Sequence, residues 1–227
     1  MPTSGKNGLG PTKRLILYDL DGTLVDTRVD ITHAANHMRT QMGLAPLPQA
    51  EVCRSVGLGL HQLVQSCLET QEAARIEQGM AIYRAHYSAH LLDHTALYPS
   101  VKEVLEHFRE RAQAVVTNKP DPYSRRILER LGVAGYFLEI VAGNSGWPKK
   151  PDPAGILAVM QKAGATPEQT VLVGDSSIDV QSGARAGIAT VGVAQGFCER
   201  AELEAAGPNA LVENFSQLLE LARGQGW

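Results

Sequence analysis

The sequence is short of three things: cysteine, an excess of charge of either sign, and long apolar runs. Its 3 cysteines are scattered and never stand in C-x-x-C spacing, so neither a disulfide framework nor a cysteine-based zinc site is expected. Its 21 basic and 24 acidic residues leave a net charge of -3, which offers no basic field to nucleic acid. No apolar run approaches the length of a membrane span, and the N-terminus lacks the apolar core of a secretory signal. A cytoplasmic protein without nucleic-acid or membrane partners is therefore predicted.

The length and composition suit one large domain or two modest ones with a substantial core. Of the 227 residues, 44% are hydrophobic and 20% are charged, which is ordinary for a soluble globular protein. Residues 1–12 hold several glycines and prolines and almost nothing apolar, so a flexible tail is predicted there.

The most informative stretch lies near the start of the chain. Residues 15–18 are mostly aliphatic and predict a buried strand, and Asp19, Asp21 and Gly22 follow at its end. Two carboxylates that are forced together repel each other, so a bound cation or a raised pKa is expected. The alternative is a strand that ends in a solvated acidic turn, and this stretch alone leaves both open.

A long segment without strand signals follows. Over residues 27–95 apolar residues recur at spacings of three and four, and three helices are predicted, with glycine and proline between them. The segment is predicted to be a small all-helical subdomain, inserted into a core domain of residues 13–26 and 96–227.

Strands and helices alternate in the remainder of the chain. Strands are predicted at 114–116, 138–142, 171–173 and 190–193. Helices are predicted at 101–110, 122–131, 153–163, 178–186, 201–206 and 215–222. This alternation predicts an α/β fold, with a Rossmann-like parallel sheet and helices on both of its faces.

Polar side chains collect where the predicted strands end. They are Asp19, Asp21, Thr117, Asn118, Lys150 and Asp175. Ligands of such sheets bind beyond the carboxyl ends of the strands, so these groups are expected to converge on one edge. Each also has a plainer interpretation: Lys150 as a solvated lysine, and Thr117 and Asn118 as a helix cap. Asp175 and Asp179 also fit a turn and the first turn of a helix, with Asp179 as a capping or supporting residue.

Four segments carry a family resemblance. In order and spacing they resemble the four motifs of the haloacid-dehalogenase-like hydrolases, and together they cover nearly the whole chain. The segments are Asp19-Leu20-Asp21-Gly22-Thr23, Thr117-Asn118-Lys119, Lys150-Pro151-Asp152-Pro153 and Gly174-Asp175-Ser176-Ser177-Ile178-Asp179. The helical insertion after the first segment resembles that family's cap. The stretches 56–60 and 97–99, together with the Lys150 segment, resemble the phosphoglycolate phosphatase branch.

The resemblance implies catalytic and metal-binding roles. Asp19 would be the nucleophile that forms an aspartyl-phosphate, and Asp21 would act as general acid and then as general base. Mg²⁺ would be held by Asp19, the backbone carbonyl of Asp21, and Asp175, with waters in the remaining positions. Lys150 would neutralise charge on Asp19 and on the phosphoryl oxygens.

The resemblance also implies contacts to the substrate. Thr23, Thr117 and Asn118 lie in the matching motifs and are expected to bind the phosphoryl group, through the Thr117 hydroxyl and nearby backbone N–H groups. Arg54, just before the loop at 57–59, is a candidate for binding an anionic group of the substrate.

Histidines repeat at helical spacing in the predicted cap. His33 and His37 lie in its first helix, where contact with the substrate is one interpretation. His86, His90 and His94 recur every four residues, a spacing that can bind zinc on one helix face. No acidic or cysteine partner joins them in the sequence, so an exposed stripe is the preferred interpretation.

The predicted function is magnesium-dependent hydrolysis of a small phosphomonoester, with 2-phosphoglycolate as the best guess, by a monomer or a homodimer. Alternatives on the same fold are a phosphatase for a sugar phosphate, nucleotide or pyrophosphate, a phosphomutase, and a dehalogenase. Asp21 argues against the dehalogenase, because a halide leaving group needs no general acid. A phospho-acceptor switch of receiver type would be about half as long and would lack the inserted cap.

Overall fold

The structure, a computed structural model that describes residue 9 and residues 12–227, contains a six-stranded parallel sheet. The strands of the chain are β1 (Leu15–Tyr18), β2 (Val25–Asp26), β3 (Ala96–Leu97), β4 (Ala112–Val116), β5 (Glu139–Val141), β6 (Thr170–Gly174), β7 (Ala189–Val193) and β8 (Ala210–Val212). The sheet has the order β5-β4-β1-β6-β7-β8, and all neighbouring strands are parallel. The strand order reverses at β1, which is where such sheets bind ligands.

The helices lie between the strands in sequence. They are α1 (Arg28–Gln41), α2 (Gln49–Cys53), α3 (Leu60–Leu68), α4 (Ala73–Ala89), α5 (Val101–His107), α6 (Tyr123–Arg130), α7 (Ala154–Ala163), α8 (Ser177–Ala186), α9 (Arg200–Ala206) and α10 (Phe215–Gln225). Short 3₁₀ turns cover Ala134–Tyr136 and Pro167–Gln169.

Strand β1 is buried on both faces because helices cover both sides of the sheet. Leu15 and Leu17 lie in one hydrophobic cluster with residues of α7. Ile16 and Tyr18 lie in the other, where the Tyr18 ring stacks on Phe215 of α10. Successive strand residues point to opposite faces, so a continuous apolar run is what a strand covered on both sides requires.

Helices α1 to α4 form the inserted bundle between β2 and β3. Gly79 in α4 lets the helices approach closely: a Cβ there would lie 2.6 Å from Leu68 Cδ1 and 3.1 Å from Met38 Sδ. The chain leaves and re-enters the core through the antiparallel pair β2 and β3, in which Val25 is opposite Leu97. The division into a core of 13–26 and 96–227 and a cap of 27–95 stays a prediction. The pairing of β2 with β3, at the point where the chain leaves and re-enters the core, supports it.

The predicted α/β fold is confirmed, and each strand predicted from an apolar run is present. No sequence pattern predicts β2, β3, β8 or α2, which have only two to five residues. Elements this short form because a partner segment lies alongside them, not because of their own propensity.

Three further predictions concern the N-terminal tail, the oligomeric state and the cellular location. The flexible tail predicted over residues 1–12 lies outside the described residues apart from Leu9 and Thr12, and Leu9 is buried in the core. Among the described helices, none is long and apolar enough to cross a membrane. The oligomeric state and the cytoplasmic location stay predictions.

Leu172 tests the packing of the central strands. It is fully buried in β6, so Leu172→Ala should lower the free energy of unfolding by about 2–5 kcal/mol, because lost contacts leave a cavity. Leu157→Ala, at an exposed position of α7, is the matched control and should change it by no more than about 0.5 kcal/mol. Urea unfolding followed by circular dichroism measures both, and equal losses in the two variants would contradict this packing.

Candidate active site

Three buried carboxylates meet at the carboxyl edge of the sheet. Asp19 follows β1 and Asp175 follows β6, and these strands are hydrogen-bonded neighbours, so the two residues lie side by side. Asp179 adds a third carboxylate from the first turn of α8. One oxygen from each carboxylate lies within 4.8 Å of the other two. Like charges at this separation repel each other, so a nearby cation or a raised pKa is expected.

Lys150 reaches into this group from the loop after β5. Its Nζ lies 2.7 Å from Asp179 Oδ1 and 2.8 Å from Asp19 Oδ1. Burial alone would lower the pKa of Lys150, but the charges of Asp179 and Asp19 raise it above its usual range, so the ammonium stays charged. One ammonium among three carboxylates leaves an excess of negative charge when all three are ionised.

The carboxyl groups respond to this excess of negative charge. Burial, with the charges of Asp179 and Asp19 adding to it, raises the pKa of Asp175 to about 8. Burial raises the pKa of Asp19 to about 6, against the opposing charge of Lys150. Asp19 Oδ1 is buried without an aligned hydrogen-bond donor, although Lys150 lies at ion-pair distance. The group therefore fits a divalent cation that prefers hard oxygen ligands, such as Mg²⁺.

The orientation of Asp175 is fixed by the turn after β1. Thr23 Oγ1 donates to Asp175 Oδ1 at 2.8 Å, and the Phe197 backbone N–H donates to Oδ2 at 2.8 Å. Gly22 has a φ of 80°, and a Cβ there would lie 2.2 Å from Asp175 Oδ2, so the close approach requires glycine. Thr23 thus contacts Asp175, and its predicted contact with the substrate stays a prediction.

The side chain of Asp21 points to a different set of partners. Lys119 Nζ donates to its two oxygens at 2.9 Å and 3.2 Å, and Thr27 Oγ1 donates to Oδ1 at 2.7 Å. Lys119 also donates to Tyr87 Oη at 2.7 Å, and Tyr87 belongs to α4 of the insertion. Asp21 is therefore connected through Lys119 to a cap helix. Its predicted metal contact, through the backbone carbonyl, stays a prediction.

Asn118 connects the core, the Lys150 loop and the insertion. Its Nδ2 donates to the carbonyl oxygens of Gly57 at 2.8 Å and Lys150 at 2.9 Å, and its Oδ1 accepts from the Lys150 N–H at 2.8 Å. Thr117 is buried next to it, and its Oγ1 accepts from the Lys119 N–H at 3.2 Å. The substrate contacts predicted for Thr117 and Asn118 stay predictions.

The sequence assigns no catalytic role to Lys119, Tyr87 or Asp179. Lys119 stands within a matching motif, which is the signal that could have found it, whereas nothing in the spacing of Tyr87 marks it. Asp179 does cap α8, since the Ser176 N–H and Oγ donate to its Oδ2 at 3.1 Å and 2.6 Å. Its further contact with Lys150 joins two segments that are far apart in the sequence.

A cavity lies between this edge and the insertion. Polar groups from the core line one side, and apolar groups of the insertion line the other. They include Asp19, Asp21, Thr117, Asn118 and Lys119 from the core, and Ile31, Leu60, Leu63 and Tyr83 from the insertion. Arg54 is exposed and, like His33 and His37, is not among the described residues that line the cavity. Substrate contacts of these three residues stay predictions.

The sequence is similar to a known family of hydrolases and to named bacterial proteins. A family model described as haloacid dehalogenase-like hydrolase matches residues 16–193. A protein of Pseudomonas putida named phosphoglycolate phosphatase is 34% identical over 219 residues, which cover 92% of this chain and 80% of that protein. A protein of the same name from Chromobacterium violaceum is 32% identical over 217 residues, which cover 92% of this chain and 96% of that protein.

A solved structure has a similar fold. The crystal structure of a predicted phosphoglycolate phosphatase from Haemophilus somnus 129PT matches with a TM-score of 0.88 at 29% identity, covering 92% of this chain and 98% of that one. The resemblance to this family is thereby confirmed. The chain belongs to the haloacid dehalogenase-like hydrolases, on their phosphoglycolate phosphatase-like branch.

Proposed function

We propose that this phosphoric monoester hydrolase is a magnesium-dependent phosphatase that hydrolyses 2-phosphoglycolate through an aspartyl-phosphate. The observation that carries the proposal is the buried group of Asp19, Asp175 and Asp179 around Lys150, next to a cavity that the insertion covers. The names of the similar bacterial proteins support the choice of substrate.

In the first step Asp19 acts as the nucleophile. One of its carboxylate oxygens attacks phosphorus, the bond from phosphorus to the ester oxygen breaks, and the leaving alkoxide takes a proton from Asp21. Asp19 and Asp21 both line the cavity, so both have access to the same phosphoryl group. Lys119 and Thr27 hold the Asp21 carboxyl in place through hydrogen bonds.

In the second step the roles of the two acids change. Asp21, now ionised, takes a proton from a water molecule whose oxygen attacks phosphorus. The bond between phosphorus and Asp19 breaks, inorganic phosphate leaves, and both side chains return to their starting protonation states. Movement of the insertion would exclude bulk water during the first step and admit it for the second.

Asp19, the backbone carbonyl of Asp21, and Asp175 would hold Mg²⁺. When bound, the ion would neutralise negative charge on the phosphoryl oxygens and the carboxylates. Thr23 keeps Asp175 oriented toward this position, and Lys150 supplies a fixed positive charge beside Asp19. Phosphoryl transfer depends mainly on such positioning and neutralisation of charge.

The cavity favours a small substrate. The space in it that a water-sized molecule can occupy is about 50 Å³, several times the roughly 10–15 Å³ that one water molecule needs. Tyr83 and Tyr87 of α4 close the side that faces the insertion, so a phosphorylated side chain on a folded protein would have to displace the cap. A small phosphorylated metabolite is therefore the substrate class that we favour.

A panel of phosphomonoesters tests the proposal. Phosphate release from 2-phosphoglycolate, sugar phosphates, nucleotides and pyrophosphate is measured with Mg²⁺ and with a chelator. We expect the highest kcat/KM for 2-phosphoglycolate and no turnover with the chelator. A higher kcat/KM for any other member would reject the substrate, and turnover without a divalent ion would reject the metal.

Asp19→Asn should abolish phosphate release, because an amide cannot attack phosphorus to form the covalent intermediate. Asp93→Asn changes an exposed acid of the same type and is the matched control, expected to keep wild-type kcat. Rapid quenching with ³²P-labelled substrate should trap label on the control and none on Asp19→Asn. Undiminished Mg²⁺-dependent turnover in Asp19→Asn would show that another group is the nucleophile.

Asp175→Asn should weaken Mg²⁺ binding while keeping the fold, because it replaces a ligand carboxyl group with a neutral amide of the same shape. The Mg²⁺ concentration for half-maximal activity should rise by at least about tenfold, which corresponds to about 1.4 kcal/mol. The KM for substrate at saturating Mg²⁺ serves as the control and should change less. An unchanged Mg²⁺ requirement would remove Asp175 from the set of ligands.

Lys119→Met should lower kcat by about a hundredfold, in the range that general acid–base catalysis contributes, because Asp21 loses the ammonium that orients it. Lys102→Met, at an exposed position of α5, is the control and should keep wild-type kcat. Tyr87→Phe, which removes only the contact to the insertion, should have a smaller effect than Lys119→Met. Wild-type kcat in Lys119→Met would show that Asp21 needs no such support.

A further inference from the structure

Five of the 7 histidines lie together on the insertion, away from the cavity lining. The rings of His37 and His86 stack with centroids 4.3 Å apart, and those of His86 and His90 stack at 4.4 Å. His33 and His94 meet edge to face at 5.3 Å. The sequence suggested a stripe without an acidic partner, but the structure supplies two: the exposed Asp93, 2.7 Å from His90 Nδ1, and a buried residue at the His33 and His94 end.

The buried partner is Asp30, in the first turn of α1. It accepts hydrogen bonds from the backbone N–H groups of His94 and Thr95 and from Thr95 Oγ1, at distances between 2.7 and 3.1 Å. Its Oδ1 also lies 2.9 Å from His94 Nδ1. Donors thus face both of its oxygens, which is the arrangement that an ionised carboxylate, an acceptor only, requires.

The carboxylate decides which nitrogen of His94 can bind a metal. An ionised carboxylate only accepts hydrogen bonds, so Nδ1 of His94 must carry the proton. In the neutral ring the free lone pair is then on Nε2, and the His94 side chain is 52% exposed. A carboxylate that holds a histidine in this way is the usual support of a metal-binding imidazole.

We propose that His33 and His94 bind a borderline-soft divalent cation such as Zn²⁺, with Asp30 holding the His94 ring. One possible ligand atom of each of these three residues lies within 4.8 Å of the other two. The His33 ring is exposed and can turn toward the free Nε2 of His94, and waters would be the further ligands of the ion.

The neighbouring histidines are less suited to share one ion. The stacked pairs have interplanar angles of 17° and 28°, so their ring planes are nearly parallel. The lone pair of an imidazole lies in the ring plane, and nearly parallel planes do not direct two lone pairs at one point. His33 and His94 are perpendicular, at 89°, which allows their lone pairs to converge.

The site differs from the candidate active site in chemistry and in place. Imidazole nitrogens favour zinc, copper or nickel, whereas the group around Asp19 offers the oxygens that suit Mg²⁺. His33 belongs to α1, and His94 lies in the segment that returns to β3. A metal held by both would tie the start of the insertion to its end and should therefore stabilise it.

The test is calorimetric titration of Zn²⁺ into the untagged full-length protein with Mg²⁺ in excess. We expect one binding event in the wild type, weakened at least about tenfold by His33→Gln and by His94→Asn. Asparagine keeps a donor near the position of Nδ1 for Asp30 but lacks Nε2, so the fold should be preserved. His61→Gln, at an exposed position of α3, is the matched control and should bind as the wild type does.

Two further measurements separate the outcomes. The melting temperature without metal should match the wild type in all three variants, and Zn²⁺ should raise it in the wild type and the control but not in His33→Gln or His94→Asn. Wild-type Zn²⁺ affinity in His33→Gln and His94→Asn would overturn the proposal. Loss of binding in His37→Gln with retention in those two variants, or loss only in Asp19→Asn, would place the ion elsewhere and also overturn it.

Discussion

The candidate active site depends on one constraint: three carboxylates are buried together with a single ammonium. A buried charge is costly unless it is paired, and Lys150 pairs with Asp19 and Asp179. Hydrogen bonds from the turn after β1 and from the start of α8 hold Asp175 and Asp179. Burial, together with the remaining negative charge, raises the pKa values of Asp175 and Asp19, which is the physical reason that a hard divalent cation suits this edge of the sheet.

A comparison with Asp30 shows that burial alone does not create such a requirement. Asp30 is as buried as Asp175, yet donors from His94 and Thr95 surround both of its oxygens and its pKa is lowered. Asp19 has an oxygen without an aligned donor, and its pKa is raised. Asp175 also has a donor at each oxygen, yet its pKa is raised by burial and by the nearby carboxylates of Asp179 and Asp19. Neighbouring charges and hydrogen-bond donors therefore decide together whether a buried carboxylate needs a cation.

The same few polar residues join the chemistry to the insertion. Asn118 bonds the backbone of the Lys150 loop and a carbonyl of the insertion, and Lys119 lies between Asp21 and Tyr87. A movement of the insertion must break or remake these hydrogen bonds. Opening of the cavity is thereby linked to the surroundings of the acid that would protonate the leaving group.

The sequence by itself determined the fold and the edge on which the acids lie. Apolar runs, helical spacing and the order of four motifs suffice for that, because parallel strands place their carboxyl ends on one side, whatever the loops between them. Only the tertiary structure decided the partners: Lys119 with Tyr87, Lys150 with Asp179, and Asp30 with His94. These pairs are separated by 29 to 64 residues in sequence, and no local pattern encodes which side chains packing will bring within hydrogen-bond distance.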